Sequence, residues 1–267
     1  MTVLILGCGY AGQAVARLLA GRAERVLGTA RVAGELGAVA AAGAEPILLD
    51  GDDPGARAAL AGRCAAEGEG LRLLVAFPPA RLAGGGERTG EVLGALRGRI
   101  ARVVQLSSSV VYGDAPRVDA ATAAAPSSPR GVLYLDAERA VREGPWSSLV
   151  LRVAAIYGPG RGLLADELPR FTHARSLDAV VSRIHVDDLA AIAVAALGGR
   201  VEGAWPVADE EPASGRELLA AWSGTPWERG DRPDPPGSRR VDGTAVAREL
   251  GVVLRYRSYR DAIDARR

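Results

Sequence analysis

Short aliphatic runs alternate with segments of helical spacing through the first half of the chain, and that alternation leaves few folds open to it. Residues 2–6, 25–29, 46–49, 72–77 and 102–106 read as strands. Residues 13–20, 34–42, 53–66 and 88–96 read as the helices between them, with Asp52 or Asp53 as the cap of the third. Strands apolar on both faces belong in a parallel sheet covered by helices on both sides, so the expected class is α/β, doubly wound and mostly parallel. Further along, 132–142 reads as a helix and 148–153 as a sixth strand. Residues 187–197 read as a helix opened by a capping Asp, and 205–207 as a short strand. Residues 215–222 and 244–250 read as helices. Stretches 120–129 and 230–237 read as loops. The expected organisation is a core over residues 1–155, its last elements completed by parts of 180–210, and a small C-terminal α/β substrate lobe made mainly of residues 156–267.

The turn after the first strand is Gly7-Cys8-Gly9-Tyr10-Ala11-Gly12, a G-x-G-x-x-G pattern. In a chain with 34 glycines the pattern alone says little; its place between a strand and a helix gives it weight. Gly7 permits the tight turn, Gly9 lets the backbone approach a pyrophosphate, and Gly12 allows close packing of helix on strand. The helix N-terminus adds free N–H groups and about half a positive charge. A Rossmann sheet with a dinucleotide on this turn is the expectation. Thr29-Ala30-Arg31 stands where an NAD site usually has a carboxylate. Arg31 cannot accept a hydrogen bond from a ribose hydroxyl, but its planar fork suits a 2′-phosphate, so NADP is expected before NAD. A solvated surface Arg is the competing reading. Asp50 reads equally as an adenine contact or a helix cap. Tyr10 in the turn, with Phe77 and Ser107 at strand ends, completes the expected cofactor contacts. The helix N-terminus would also lower the pKa of Cys8.

Composition narrows the chemistry. The 267 residues include no Lys and no Asn, so no mechanism can rest on a lysine ammonium or an asparagine amide. Lys+Arg is 33 against Asp+Glu 32, a net charge of +1, which leaves no basic footprint for nucleic acid or an anionic membrane. Charges interrupt the chain too often for a span of about 20 apolar residues. Residues 1–16 lack the basic n-region of a signal peptide. Cys8 and Cys64 are too few for a disulfide framework, so a cytoplasmic location is expected. Two histidines and two cysteines, scattered, give no metal-ligand spacing.

Four ordered motifs carry a resemblance. Leu106-Ser107-Ser108-Ser109-Val110-Val111-Tyr112-Gly113 resembles the "SS…VYG" strand end of extended short-chain dehydrogenases/reductases, which include nucleoside-diphosphate-sugar epimerases and dehydratases. Leu151-Arg152 with Ile156-Tyr157-Gly158-Pro159-Gly160-Arg161 is similar to their "LR…YGPGR" segment, and Arg183 to Ala190 to their "IHVDDLA" segment. The ending, from Leu250-Gly251 to Tyr259-Arg260, resembles the last helix and tail. The glycine spacing and short length look like the compact branch known as the NAD-dependent epimerase/dehydratase family. The resemblance implies a nicotinamide cofactor and hydride transfer at a carbonyl or hydroxyl carbon.

In that family a Tyr-x-x-x-Lys pair precedes an Ala-Glu. Here Ala137-Glu138 sets the register, placing Arg130 at the Tyr position and Tyr134 at the Lys position, with Gly131 matching the glycine that follows the family Tyr. An Arg stays protonated near pH 7 and cannot serve as a general acid. Tyr134 has the right chemistry but no lysine to activate it; an Arg one helical turn away is the substitute available. Ser108 matches the family's catalytic Ser/Thr and could polarise a carbonyl, or it could simply bond backbone at a strand end. Tyr112 and Tyr157 either line a substrate pocket or pack. Arg161 is a candidate anion contact for the substrate. His185 reads as a satisfied histidine, and Trp146, Trp205, Trp222 and Trp227 as packing anchors. Two functions follow: an NADP-dependent oxidoreductase or epimerase-like enzyme with a rebuilt site, acting on a small-molecule substrate, or a non-catalytic NADP-binding sensor or scaffold. A homodimer would be ordinary for the family.

Overall fold

The structure is a computed structural model and describes residues 2–22, 24–162, 177–227 and 233–265. The proline-rich loop expected at 230–237 lies partly outside them. Strands β1 (Thr2–Leu6), β2 (Arg25–Ala30), β3 (Glu45–Leu48), β4 (Leu71–Val75) and β5 (Ile100–Ser108) appear where the aliphatic runs place them. They alternate with helices α1 (Tyr10–Ala20), α2 (Leu36–Ala41), α3 (Pro54–Ala65) and α4 (Arg88–Ala95). Asp53 caps α3, accepting from the N–H groups of Gly55 at 2.9 Å and Ala56 at 3.1 Å. Asp50 caps no helix: its carboxylate accepts from the Asp52 N–H at 3.1 Å.

The second half supplies β6 (Arg117–Val118), α5 (Pro129–Arg142), β7 (Ser147–Val153), β8 (Ala155–Tyr157), β9 (Val180–Val181) and β10 (Arg183–His185). It ends with α6 (Val186–Gly198), β11 (Gly203–Val207), β12 (Ala213–Ser214), α7 (Gly215–Ser223), β13 (Arg240–Val241), α8 (Ala245–Glu249) and α9 (Tyr259–Asp264). The two- and three-residue strands have no sequence signature, because a pair that short shows no period. The expected Asp cap of α6 is corrected. His185 caps it, its Nδ1 accepting from the Asp187 N–H at 3.2 Å. Among the described residues no helix is long and apolar enough to cross a membrane.

Seven strands form one sheet in the order β11-β7-β5-β4-β1-β2-β3, every neighbouring pair parallel. Alternate side chains of each strand serve opposite faces. Val3 and Ile5 of β1 join the core under α1 and α6, whereas Leu4 and Leu6 join the core under α3 and α4. All four are fully buried, each contributing about 1.5–3 kcal/mol of hydrophobic stabilisation. Chain order reverses between β1 and β4, and ligands of open α/β sheets bind in the crevice outside the strand ends at such a point.

Candidate active site

The glycine turn sits at that reversal. Gly7 has φ +87°, and a Cβ there would lie 2.6 Å from the Phe77 nitrogen, so no side chain fits between the turn and Phe77, just past β4. Its N–H donates to Thr29 Oγ1 at 2.8 Å, and the Cys8 N–H to the Thr29 carbonyl at 2.7 Å, tying the turn to β2. A Cβ on Gly12 would meet the Gly7 carbonyl oxygen at 2.8 Å. Gly9 differs: nothing lies within 4 Å of where its Cβ would be. It is also the N-cap of α1, with no side-chain cap and no acidic residue in the first turn. An open cradle at an uncapped helix N-terminus fits the pyrophosphate of a dinucleotide. Cys8 is corrected: burial pushes its thiol up to about 11, outweighing any lowering by the helix end or Arg17.

A cleft of about 670 Å³ runs from this turn across the sheet edge. Among the expected cofactor contacts it is lined by Gly7, Gly9, Tyr10, Gly12, Phe77 and Ser107; Arg31 and Asp50 are not part of its wall. Arg31 ends up at the surface, its side chain 63% exposed, with Nε 3.6 Å from Asp50 and Nη2 3.9 Å from Asp52. Arg161 lines the cleft with its guanidinium 5.1 Å from the Tyr10 ring centroid, while the Tyr10 hydroxyl donates to the Pro159 carbonyl at 3.1 Å.

Ser108, Arg130 and Tyr134 share the same cleft, brought there by the end of β5 and the first turns of α5. Ser108 Oγ accepts from the Val110 N–H at 3.3 Å, so its own proton is free to donate. The Arg130 guanidinium stands 5.7 Å from the Tyr134 ring centroid. Tyr112 and Tyr157 do not line the cleft, which corrects the pocket reading in favour of packing. Each is 1% exposed, Tyr112 beneath Arg152 and Tyr157 against the His185 ring, with its hydroxyl donating to Asp209 at 3.4 Å. His185 is buried between Tyr157 and Tyr256, and burial lowers its pKa, keeping it neutral. Of the tryptophans, Trp146, Trp205 and Trp222 pack on the cores, and Trp227 is exposed.

Beneath the lining is a buried network that the motifs did not flag. Ser107 donates to Glu138 at 2.6 Å, and Arg152 donates to both Glu138 oxygens, at 3.2 Å from Nε and 2.8 Å from Nη2. Burial alone would weaken the charge on Arg152, but Glu138 outweighs it and holds the guanidinium's pKa up. The network fixes the β5 end, where Ser107 and Ser108 face the cleft, to α5, which carries Arg130 and Tyr134.

Comparison with known proteins fits this geometry. No family model matches the chain. A conserved protein of unknown function from Silicibacter pomeroyi is 30% identical over 99% of this chain and 97% of its own, with a TM-score of 0.76. The likeness, over nearly the whole of both chains, shows a common fold. A protein described as an NAD-dependent epimerase/dehydratase from Methylobacillus flagellatus (23% identity, 99% and 96% of the two chains, TM-score 0.75) shares the fold. So does a Thermus thermophilus UDP-glucose 4-epimerase solved with NAD (19% identity, 99% and 98%, TM-score 0.77). A 3-diazoavenalumate denitrifying reductase from a Streptomyces species is 35% identical over 127 residues. That match spans 43% of this chain and 40% of the relative's length.

Proposed function

We propose that this chain is a member of the extended short-chain dehydrogenase/reductase family and a nicotinamide-dependent oxidoreductase acting on a small molecule, with NADP preferred to NAD and a rebuilt proton-transfer site. One observation carries the reading. The open side of Gly9 and the uncapped start of α1 lead into a single cleft that also holds Ser108 and Tyr134. Gly7, Gly9, Tyr10 and Gly12 would hold the pyrophosphate, with Phe77 and Ser107 alongside. A dinucleotide bound there supplies hydride to a carbonyl carbon, or takes it from an alcohol.

The proton for the oxygen has to come from this chain. Ser108 polarises the carbonyl by donating its hydrogen bond, and Tyr134 delivers the proton. Preference for NADP is supported by Arg31, whose long contacts with Asp50 and Asp52 leave its fork free to turn to a 2′-phosphate. The reductase among its relatives acts, by its name, on a diazo compound with loss of nitrogen. Where the diazo group is in its cationic diazonium form, hydride addition at that carbon with departure of N2 balances in charge and consumes no proton. Tyr134→Phe would therefore abolish turnover of carbonyl substrates and spare a diazonium substrate.

The first test is a thermal-shift titration with NADPH and NADH. Saturation to 100 times the dissociation constant adds about 2.7 kcal/mol, a shift of several degrees for a chain of this size. NADPH is expected to stabilise more than NADH. No shift with either overturns the reading. The missing Tyr-x-x-x-Lys pair favours a second reading, a sensor or scaffold that binds NADPH without chemistry. Tight NADPH binding with no hydride exchange across a panel of carbonyls, sugars and diazo compounds would establish it.

A further inference from the structure

The ionisable groups of the cleft wall are unevenly distributed. Among the described residues it includes Arg130, Arg161 and Arg239 and not one Asp or Glu, in a chain whose charges otherwise balance to +1. The three cations are not equivalent. Arg239 is committed to backbone: Nε donates to the Ala115 carbonyl at 3.2 Å, Nη1 to that of Ser109 at 2.7 Å, and Nη2 to that of Gly113. Arg161 lies over the Tyr10 ring, beside the glycine turn and so at the dinucleotide end. Arg130 is left. It is exposed, its guanidinium lies by the Tyr134 ring, and it stands on the first turn of α5 in the cleft that also holds Ser108 and Tyr134. Apolar Leu106, Val153 and Ile156 line the same cleft.

We infer that Arg130 is the anchor for an anionic group on the substrate, with the Tyr134 ring beside it, so that the substrate is an amphiphilic oxyanion: an apolar body ending in a carboxylate or phosphate. The inference rests on the oxidoreductase reading above and deepens it. The guanidinium presents a planar fork of N–H donors that a carboxylate or phosphate accepts two at a time, and among the described residues of the cleft wall no carboxylate competes for it. An anchor here also turns the loss of the family tyrosine into a gain of selectivity: neutral sugars and alcohols would leave the cation unpaired, whereas an acid satisfies it.

The test is calorimetric titration of the protein already saturated with NADPH, using trans-cinnamate, phenyl phosphate and the neutral methyl cinnamate as probes. NADPH is titrated first, so a failure of the oxidoreductase reading shows itself before any probe is added. At least one anion is expected to bind while the ester does not, and whichever anion binds better assigns the head group as carboxylate or phosphate. Arg130→Gln should weaken the anion by about tenfold or more while leaving NADPH affinity unchanged, and Arg130→Lys should restore part of the loss. The inference is overturned if the ester binds as well as the acid, if Arg130→Gln binds the anion like the parent, or if neither anion binds.

Discussion

Glu138 has no exposed surface and accepts hydrogen bonds from Ser107 and Arg152, so its removal would strand a cation that is itself only 6% exposed. Breaking a buried pair from one side costs about 3–5 kcal/mol. Glu138→Ala is therefore expected to lower unfolding stability by that amount in urea melts, whereas Glu138→Leu combined with Arg152→Met should cost clearly less, since no charge is left unpaired. Additive losses would show that the two side chains act independently. Arg31→Ala makes a milder expectation: NADPH affinity falls by about ten- to a hundredfold and NADH affinity hardly changes, as read by fluorescence titration. At this scale the sequence was legible in part. Motif register singles out Ser108 and Tyr134, and the structure brings both into one cleft. The Glu138–Arg152 pair was not, because a carboxylate in a helical segment is ordinarily solvated. The available signal was Arg152 itself, a cation inside an aliphatic strand, which demands a buried partner.

Among the elements, the glycine turn separates folding from binding. Gly7 holds a left-handed φ of +87° with Phe77 backbone where a side chain would go, so Gly7→Val should destabilise the protein, by strain and overpacking together, by at least about 2 kcal/mol. Gly9 faces open space, so Gly9→Val should leave the melting temperature without ligand within a degree or two and abolish the shift with NADPH. Equal NADPH response in Gly9→Val and the parent would remove the dinucleotide from this turn. The inner parallel strands, such as β1 and β4, were legible because both of their faces are buried and their apolar runs are continuous. The cap of α6 was not, since Asp187 looks like the better N-cap and only the burial of the His185 ring, held between two tyrosines, turns its Nδ1 onto the Asp187 N–H.

Across the whole molecule, the join between the sheet and the later segments is polar and buried, and it should be felt in the response to pH. Asp209 follows β11 and is 1% exposed; burial raises its carboxyl to about 8, with Arg183 offsetting part of the effect. Below the ordinary carboxylate range both folded and unfolded chains hold this proton. Between there and about pH 8 only the folded chain holds it, so stability is greatest on the acid side and declines as pH rises, by up to about 1.4 kcal/mol per unit, until the folded carboxyl ionises. Other groups act outside the upper part of that window. Glu67, held near 2 by its hydrogen bonds to Arg25 and Arg63, changes charge at much lower pH. His185, kept neutral by burial, works in the opposite direction but only below its ordinary value of about 6.5. The raised Cys8 thiol enters above about 8.5, where an unfolded cysteine ionises. Urea melts at pH 7 and 8 should therefore show the parent losing stability with rising pH. Asp209→Asn, which keeps the shape and cannot ionise, should show a much smaller slope. Identical slopes in parent and variant would mean that Asp209 is charged in the folded protein, and that Arg183, rather than burial, sets its state.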